Sequence, residues 1–139
     1  MSDTGVDHSA AREQHPRLRP VFELIEADLA SDLSVARAAR AVGLSASHFR
    51  RYFKQLTQLS YVRYLHTYRV ERACELLRRT ELDLSEIATR LGFCDQSYFG
   101  LIFRRHLRTT PAAYRRQCRS QSTPPPASTG QSPGNVVAA

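Results

Sequence analysis

No stretch of this 139-residue chain approaches the roughly 18 consecutive apolar residues that a membrane-spanning helix needs, and its polar first residues lack the apolar core of a secretion signal. A cytoplasmic protein is the expectation. Cysteine is scarce: Cys74, Cys94 and Cys118 are odd in number and too far apart for a CxxC metal knuckle or redox pair. His8, His15, His48, His66 and His106 show no ligand spacing either. Neither a metal site nor a cofactor is expected. Lysine is almost absent, with Lys54 the single example among twenty basic residues. Arginine grips phosphate or a guanine edge with two bonds at once, although codon usage in a G/C-rich genome produces the same bias.

Charge of either sign is missing from residues 120–139, where Ser, Thr, Pro, Gly and Ala dominate. Residues 1–36 are acidic, three arginines against seven acids, whereas residues 37–119 carry sixteen arginines and Lys54 against six acids. A basic block of that density points to a polyanion, and nucleic acid is the usual one. A merely solvated basic surface is the alternative.

Within that block a pattern occurs twice. The first copy runs from Leu33 through Gly43 and Ser45 to Phe49, Phe53 and Lys54; the second runs from Leu84 through Gly92 and Asp95 to Phe99, Phe103 and Arg105. Each has a short aliphatic helix, a glycine where the chain turns through positive φ, a small polar N-cap and an amphipathic second helix. That layout suits a DNA reader, because the second helix can enter a major groove while the first braces it.

The expected fold is all-α, with about seven helices. Residues 1–18 form a disordered tail, 19–58 a first helix-turn-helix subdomain, 59–80 a linker helix, 81–118 a second subdomain and 119–139 a disordered tail. Pro20 suits a first helical turn, and Val21, Phe22, Leu24, Ile25 and Leu29 make the stripe of a helix to about Ala30. Ser34, Ser45, Ser85, Asp95 and Thr110 are the expected caps, and the last helix carries Ala112 to Gln117. The linker helix, Tyr61 to Arg79 with Leu65, Ala73, Leu76 and Leu77 as its buried stripe, spans roughly 28 Å at about 1.5 Å per residue. Successive major-groove faces lie about 34 Å apart, so two recognition helices on such a strut reach adjacent turns from one monomer.

The succession Tyr64-Leu65, Arg69-Val70, Ala73, Leu76-Leu77, Ile87-Ala88, Gly92-Phe93, Asp95, Ser97-Tyr98-Phe99, Phe103, Thr110-Pro111 and Tyr114-Arg115 resembles the signature of the AraC/XylS family of bacterial transcription regulators over residues 20–117. The resemblance implies two helix-turn-helix subdomains on a linker helix, binding an asymmetric double-stranded DNA site and usually activating transcription beside RNA polymerase. Most members add an effector or dimerisation domain, and this chain looks like the small stand-alone members, controlled by abundance or by a partner. Two departures stand out. Gln58-Leu59-Ser60-Tyr61 replaces the family's Gly-x-Ser-Pro, and Arg108 replaces a glycine before Thr110-Pro111.

On this basis Ser47, His48, Arg50 and Arg51 are expected at base edges, joined from the second helix by Gln96, Ser97, Gly100 and Leu101. For one of Arg50 and Arg51, phosphate contact alone is the alternative, and Ser47 or His48 can be a cap or spectator. Ser45, Lys54, Arg104 and Arg105 are expected at phosphates. Gly100 and Leu101 offer no hydrogen-bonding side chain, so most specificity is expected from the first subdomain. Phe49, Phe53, Phe99 and Phe103 are expected in the core rather than stacked on bases. Arg69 is expected to be structural and paired with an acid, Glu86 or Asp95. Cys94, beside a helix N-terminus, is either a redox switch or, as favoured here, a buried inert thiol. Catalysis is not expected. The weighed rivals are a one-groove binder whose second subdomain contacts RNA polymerase or a co-regulator, and a thiol alkyl-acceptor repair protein using Cys94.

Overall fold

The computed structural model describes residues 12–122, and these are helical with no strand among them. A 3-10 turn at Pro16–Leu18 leads into seven α-helices: α1 Arg19–Ala27, α2 Val35–Ala41, α3 Ala46–Thr57, α4 Tyr61–Arg79, α5 Leu84–Leu91, α6 Gln96–Leu107 and α7 Pro111–Ser122. Local chemistry starts most of them. Ser34, Ser45, Ser60 and Asp95 each accept a backbone N–H three residues ahead, and Thr110 does the same for Ala113. Gly43 and Gly92 turn through positive φ, at 72° and 85°.

The apolar residues sort into two cores. One gathers Leu18, Phe22 and Ile25 with Ala38, Phe49, Phe53, Tyr61 and Tyr64; the other gathers Val70, Ala73 and Leu77 with Ile87, Leu91, Phe99 and Phe103. The division falls inside α4, between Leu65 and Val70, so one helix is a wall of both. Leu29 packs against both cores. The four phenylalanines of the repeat are fully buried, each contributing roughly 1.5–3 kcal/mol by removal from water.

Several expectations need correction. The N-terminal tail does not extend to residue 18: Leu18 is fully buried, and Arg12 pairs with Glu26 at 2.8 Å. One apolar side chain is enough to anchor a segment that lacks periodicity. The first helix stops at Ala27 rather than Ala30, with Asp28 extended and accepting the Ala30 N–H. Asp83, not Ser85, caps α5, because the partly buried Leu84 has to lie inside the helix to reach the second core. At the other end α7 runs to Ser122, past both Gln117 and the expected tail boundary at 119, since Arg119 pairs with Glu81 at 2.6 Å. Residues 1–11 and 123–139, where the rest of both tails was expected, lie outside the described residues.

Candidate nucleic-acid interface

α3 divides into two faces. Phe49 and Phe53 point inward, while Ser45, Ser47, His48, Arg50, Arg51 and Lys54 are all exposed. Ser45 accepts the His48 N–H at 3.2 Å, which leaves its hydroxyl hydrogen available to a phosphate oxygen. The His48 ring meets Tyr52 edge-on at 6.4 Å, and Arg17 lies over that same tyrosine at 5.5 Å. No local pattern in the sequence marks Arg17, because its place over Tyr52 depends on how the Pro16–Leu18 turn packs.

Beside α3 runs a groove of about 700 Å³, lined by Arg50, Arg51, Lys54, Gln55, Tyr61 and Val62 among others. Val62 is half exposed at the start of α4, a position that no periodicity argument had marked.

α6 repeats the arrangement with different chemistry. Gln96, Ser97, Leu101, Arg104 and Arg105 are exposed, and Leu101 leaves 51% of its surface in water. Gly100 faces open space. The N-cap is Asp95, whose carboxylate accepts the Tyr98 N–H at 2.8 Å, so this helix begins with a negative charge where α3 begins with a neutral serine. Tyr98 lies partly exposed with its hydroxyl 3.3 Å from His66 Nε2, docking α6 on α4. Burial pushes the pKa of both His66 and His106 down, with the neighbouring positive charges adding to the effect.

Among the described residues, Arg50, Arg51, Lys54, Arg104 and Arg105 form no ion pair with an acid, whereas Arg12, Arg72, Arg90 and Arg119 do. The cations on the two second helices therefore stay available to an external anion.

Two assignments change. Arg69 is structural but pairs with neither Glu86 nor Asp95. Its Nη2 donates to the Leu29 carbonyl at 2.9 Å, its guanidinium lies 5.8 Å from the Phe93 ring centre, and its Nε is buried without a partner. Glu86 is taken instead by Arg90 at 2.9 Å, and Asp95 by its capping bond. Cys94 is exposed rather than buried, because it sits in the turn between α5 and α6 with Phe93 taking the inward place.

A family described as "Helix-turn-helix domain" matches residues 24–117. Regulatory protein PocR of Salmonella typhimurium is 33% identical over 109 residues, covering 78% of this chain and 36% of that protein. HTH-type transcriptional activator RhaR of Mannheimia succiniciproducens is 33% identical over 99 residues, covering 71% of this chain and 36% of its own length. The chain thus spans about a third of these relatives. Among solved structures, an AraC-type regulator from Chromobacterium violaceum superposes with a TM-score of 0.69 at 29% identity, covering 81% of this chain and 98% of that one. The DNA-binding domain of AdpA, a global transcriptional factor solved with a target DNA, gives a TM-score of 0.68 at 31% identity, covering 74% and 96%. With its repeated helix-turn-helix, its shared strut and these relatives, the chain belongs to the AraC/XylS family of helix-turn-helix transcription regulators.

Proposed function

We propose that the chain binds an asymmetric duplex site as a monomer, with α3 and α6 in adjacent major grooves on one face of the DNA, and that it activates transcription beside RNA polymerase. The observation that carries this reading is the mounting of both helix-turn-helix units on the 19-residue α4, each with exposed cations that pair with no acid among the described residues. In this reading Arg50 and Arg51 bond guanine edges, with Ser47 and His48 a turn earlier on the same face. Gln96 and Ser97 bond bases from α6, and Leu101 covers a thymine methyl. Ser45, Lys54, Arg104 and Arg105 hold phosphates and set register.

The test is fluorescence anisotropy with random-sequence duplexes over a salt series, followed by selection of the tightest binders. The expected result is a log-log salt slope of about −0.9 per neutralised phosphate, an asymmetric motif spanning two helical turns, and one chain per duplex by sedimentation. A motif confined to one turn would overturn two-groove reading.

A second reading is favoured by α6 itself. Its exposed Leu101, side-chain-free Gly100 and acidic cap make a poorer base reader than α3, and suit contact with RNA polymerase or a co-regulator instead. Footprinting separates the two readings, since this one gives a single protected groove.

A further inference from the structure

The groove beside α3 brings two chemistries to one place. Its cationic side is Arg50, Arg51 and Lys54, none of which pairs with an acid among the described residues, and no described residue lining the groove is acidic. Its apolar side is Val35, Tyr61 and the half-exposed Val62. A phosphate backbone matches the cations and leaves the valines unmatched. The volume of about 700 Å³ falls within the range of small-molecule sites. Two smaller cavities, of about 310 and 330 Å³, each set an acid among their basic residues, Asp32 in one and Glu71 in the other. Of the three, the groove at α3 alone offers uncompensated positive charge beside an apolar wall.

That wall is fixed by contacts outside the groove. Tyr61 donates its hydroxyl to the Leu33 carbonyl at 2.8 Å and packs its ring edge-on against Phe49 and Phe53 at 5.2 and 5.4 Å. Gln58 closes α3 at φ 68°, in left-handed backbone that favours glycine, and its Nε2 donates to the Gln55 carbonyl at 3.1 Å. Backbone of this kind recurs at ligand clamps, where the surrounding structure holds it. Gln58 and Tyr61 stand where the Gly-x-Ser-Pro pattern has its glycine and proline, so both departures put side chains on the lining. At Tyr61 and Val62 α4 begins. Its first backbone bond runs from the Tyr64 N–H to the Ser60 carbonyl at 2.9 Å, so the peptide N–H groups of Tyr61 and Val62 precede the ladder and the positive end of the helix dipole lies at the groove.

We propose that the groove binds an aromatic carboxylate, its ring against Val35 and Val62 and its carboxylate bonded by Arg50 or Arg51, and that this ligand competes with DNA for α3. Arginine suits such a ligand twice over, since its guanidinium grips a carboxylate with two parallel bonds and stacks on an aromatic face. A ligand that engages Arg50 or Arg51 withholds that cation from guanine. By linkage, the duplex lowers the affinity for the ligand by the same factor as the ligand lowers the affinity for the duplex. The competition rests on the reading of α3 as a DNA-contacting helix, whereas the site itself does not.

The probe is naphthoate, titrated by calorimetry into the full chain without DNA, so that ligand binding is read independently of any duplex. The expected result is saturable binding of one molecule per chain, with uncharged naphthamide weaker by about tenfold or more. V62N, which makes the exposed valine polar, and Q58G, which removes a lining side chain and relieves its backbone, should each bind naphthoate several-fold more weakly while keeping the parent's affinity for duplex. In anisotropy at constant ionic strength, naphthoate should raise the parent's apparent Kd for its selected duplex several-fold, and the same concentration of acetate should leave it unchanged. No saturable binding, equal binding of naphthamide, or parent-like binding in both variants would overturn the site. Binding of naphthoate with duplex affinity unchanged would overturn the competition. Failure of the parent to bind any duplex shows in the titration without naphthoate, and would overturn the DNA reading of α3 together with the competition. Sedimentation of the free chain as a dimer that naphthoate splits would give the groove to a second copy instead.

Discussion

Arg69 Nη2 donates a 2.9 Å hydrogen bond to the carbonyl of Leu29, forty positions earlier in the chain. The bond joins the middle of α4 to the turn after α1, and its guanidinium also lies beside Gly92 and Phe93 of the second unit. One side chain thus touches both subdomains at the point where Leu29 packs against both cores. Arg69→Met keeps most of the apolar stem but leaves that carbonyl without its partner. It should lower unfolding free energy by about 1–3 kcal/mol, measured by urea denaturation. An unaltered midpoint would mean that the bond contributes nothing net.

The two positive-φ glycines should respond differently to alanine. At Gly43 an added Cβ meets nothing within 4 Å, so only the left-handed backbone penalty of about 1–2 kcal/mol applies. At Gly92 the same penalty is joined by collision with the Leu29 carbonyl and the Arg69 guanidinium. G92A should therefore unfold at clearly lower denaturant than G43A, and equal midpoints would refute the crowding argument.

Arg108 ends α6 in the left-handed region at φ 63°, and Gln58 ends α3 there at φ 68°. Relief of the Cβ clash, offset by glycine's larger entropy loss, leaves a gain of up to about 1 kcal/mol for R108G. Thermal unfolding of R108G should give a higher midpoint than the parent; a lower one would show that the arginine's contacts outweigh its strain.

Arg51 and Arg104 should fail in different ways. R51A is expected to cost roughly 1–3 kcal/mol on the selected site and to relax preference at one base pair. R104A should weaken binding to all duplexes alike and reduce the salt slope by about one. Competition binding with single-base variants of the site tells the two patterns apart, and uniform loss in R51A would make that residue a phosphate anchor.

His66 and His106 lie 6.3 Å apart, ring to ring, at the contact of α4 with α6. Both titrate below their ordinary 6.5, chiefly through burial, with Arg105 acting on both, Arg69 on His66 and Arg63 on His106. The unfolded chain therefore takes up protons before the folded chain does. Their contribution is fully present above the unfolded pKa and declines as pH falls through it toward the lower folded values. The urea midpoint of the parent should drop more between roughly pH 7.5 and 5 than that of H66Q/H106Q. Parallel profiles would remove the histidines from the account.

Much of this architecture is legible in the order of residues, because its causes are local. The bounds of α4, Tyr61 to Arg79, follow from a serine cap and an uninterrupted helical period, and the inward places of Phe49, Phe53, Phe99 and Phe103 follow from i, i+4 spacing. The exposed faces of α3 and α6 are what those inward faces leave over. Where two residues compete for one local role, the outcome depends on packing beyond the helix. Ser85 and Asp83 are both good caps, and the place of Leu84 in the second core decides for Asp83.

The sequence by itself therefore determined the helices, their inward faces and the exposed cations, since helical period, capping and turn glycines act within a few residues. Only the tertiary structure decided that Arg69 bonds a carbonyl rather than an acid, that Cys94 faces water, and that α4 belongs to two cores. Each of these depends on how helices distant in the chain cross. That crossing is set by the summed fit of many side chains, and no short stretch of sequence contains it.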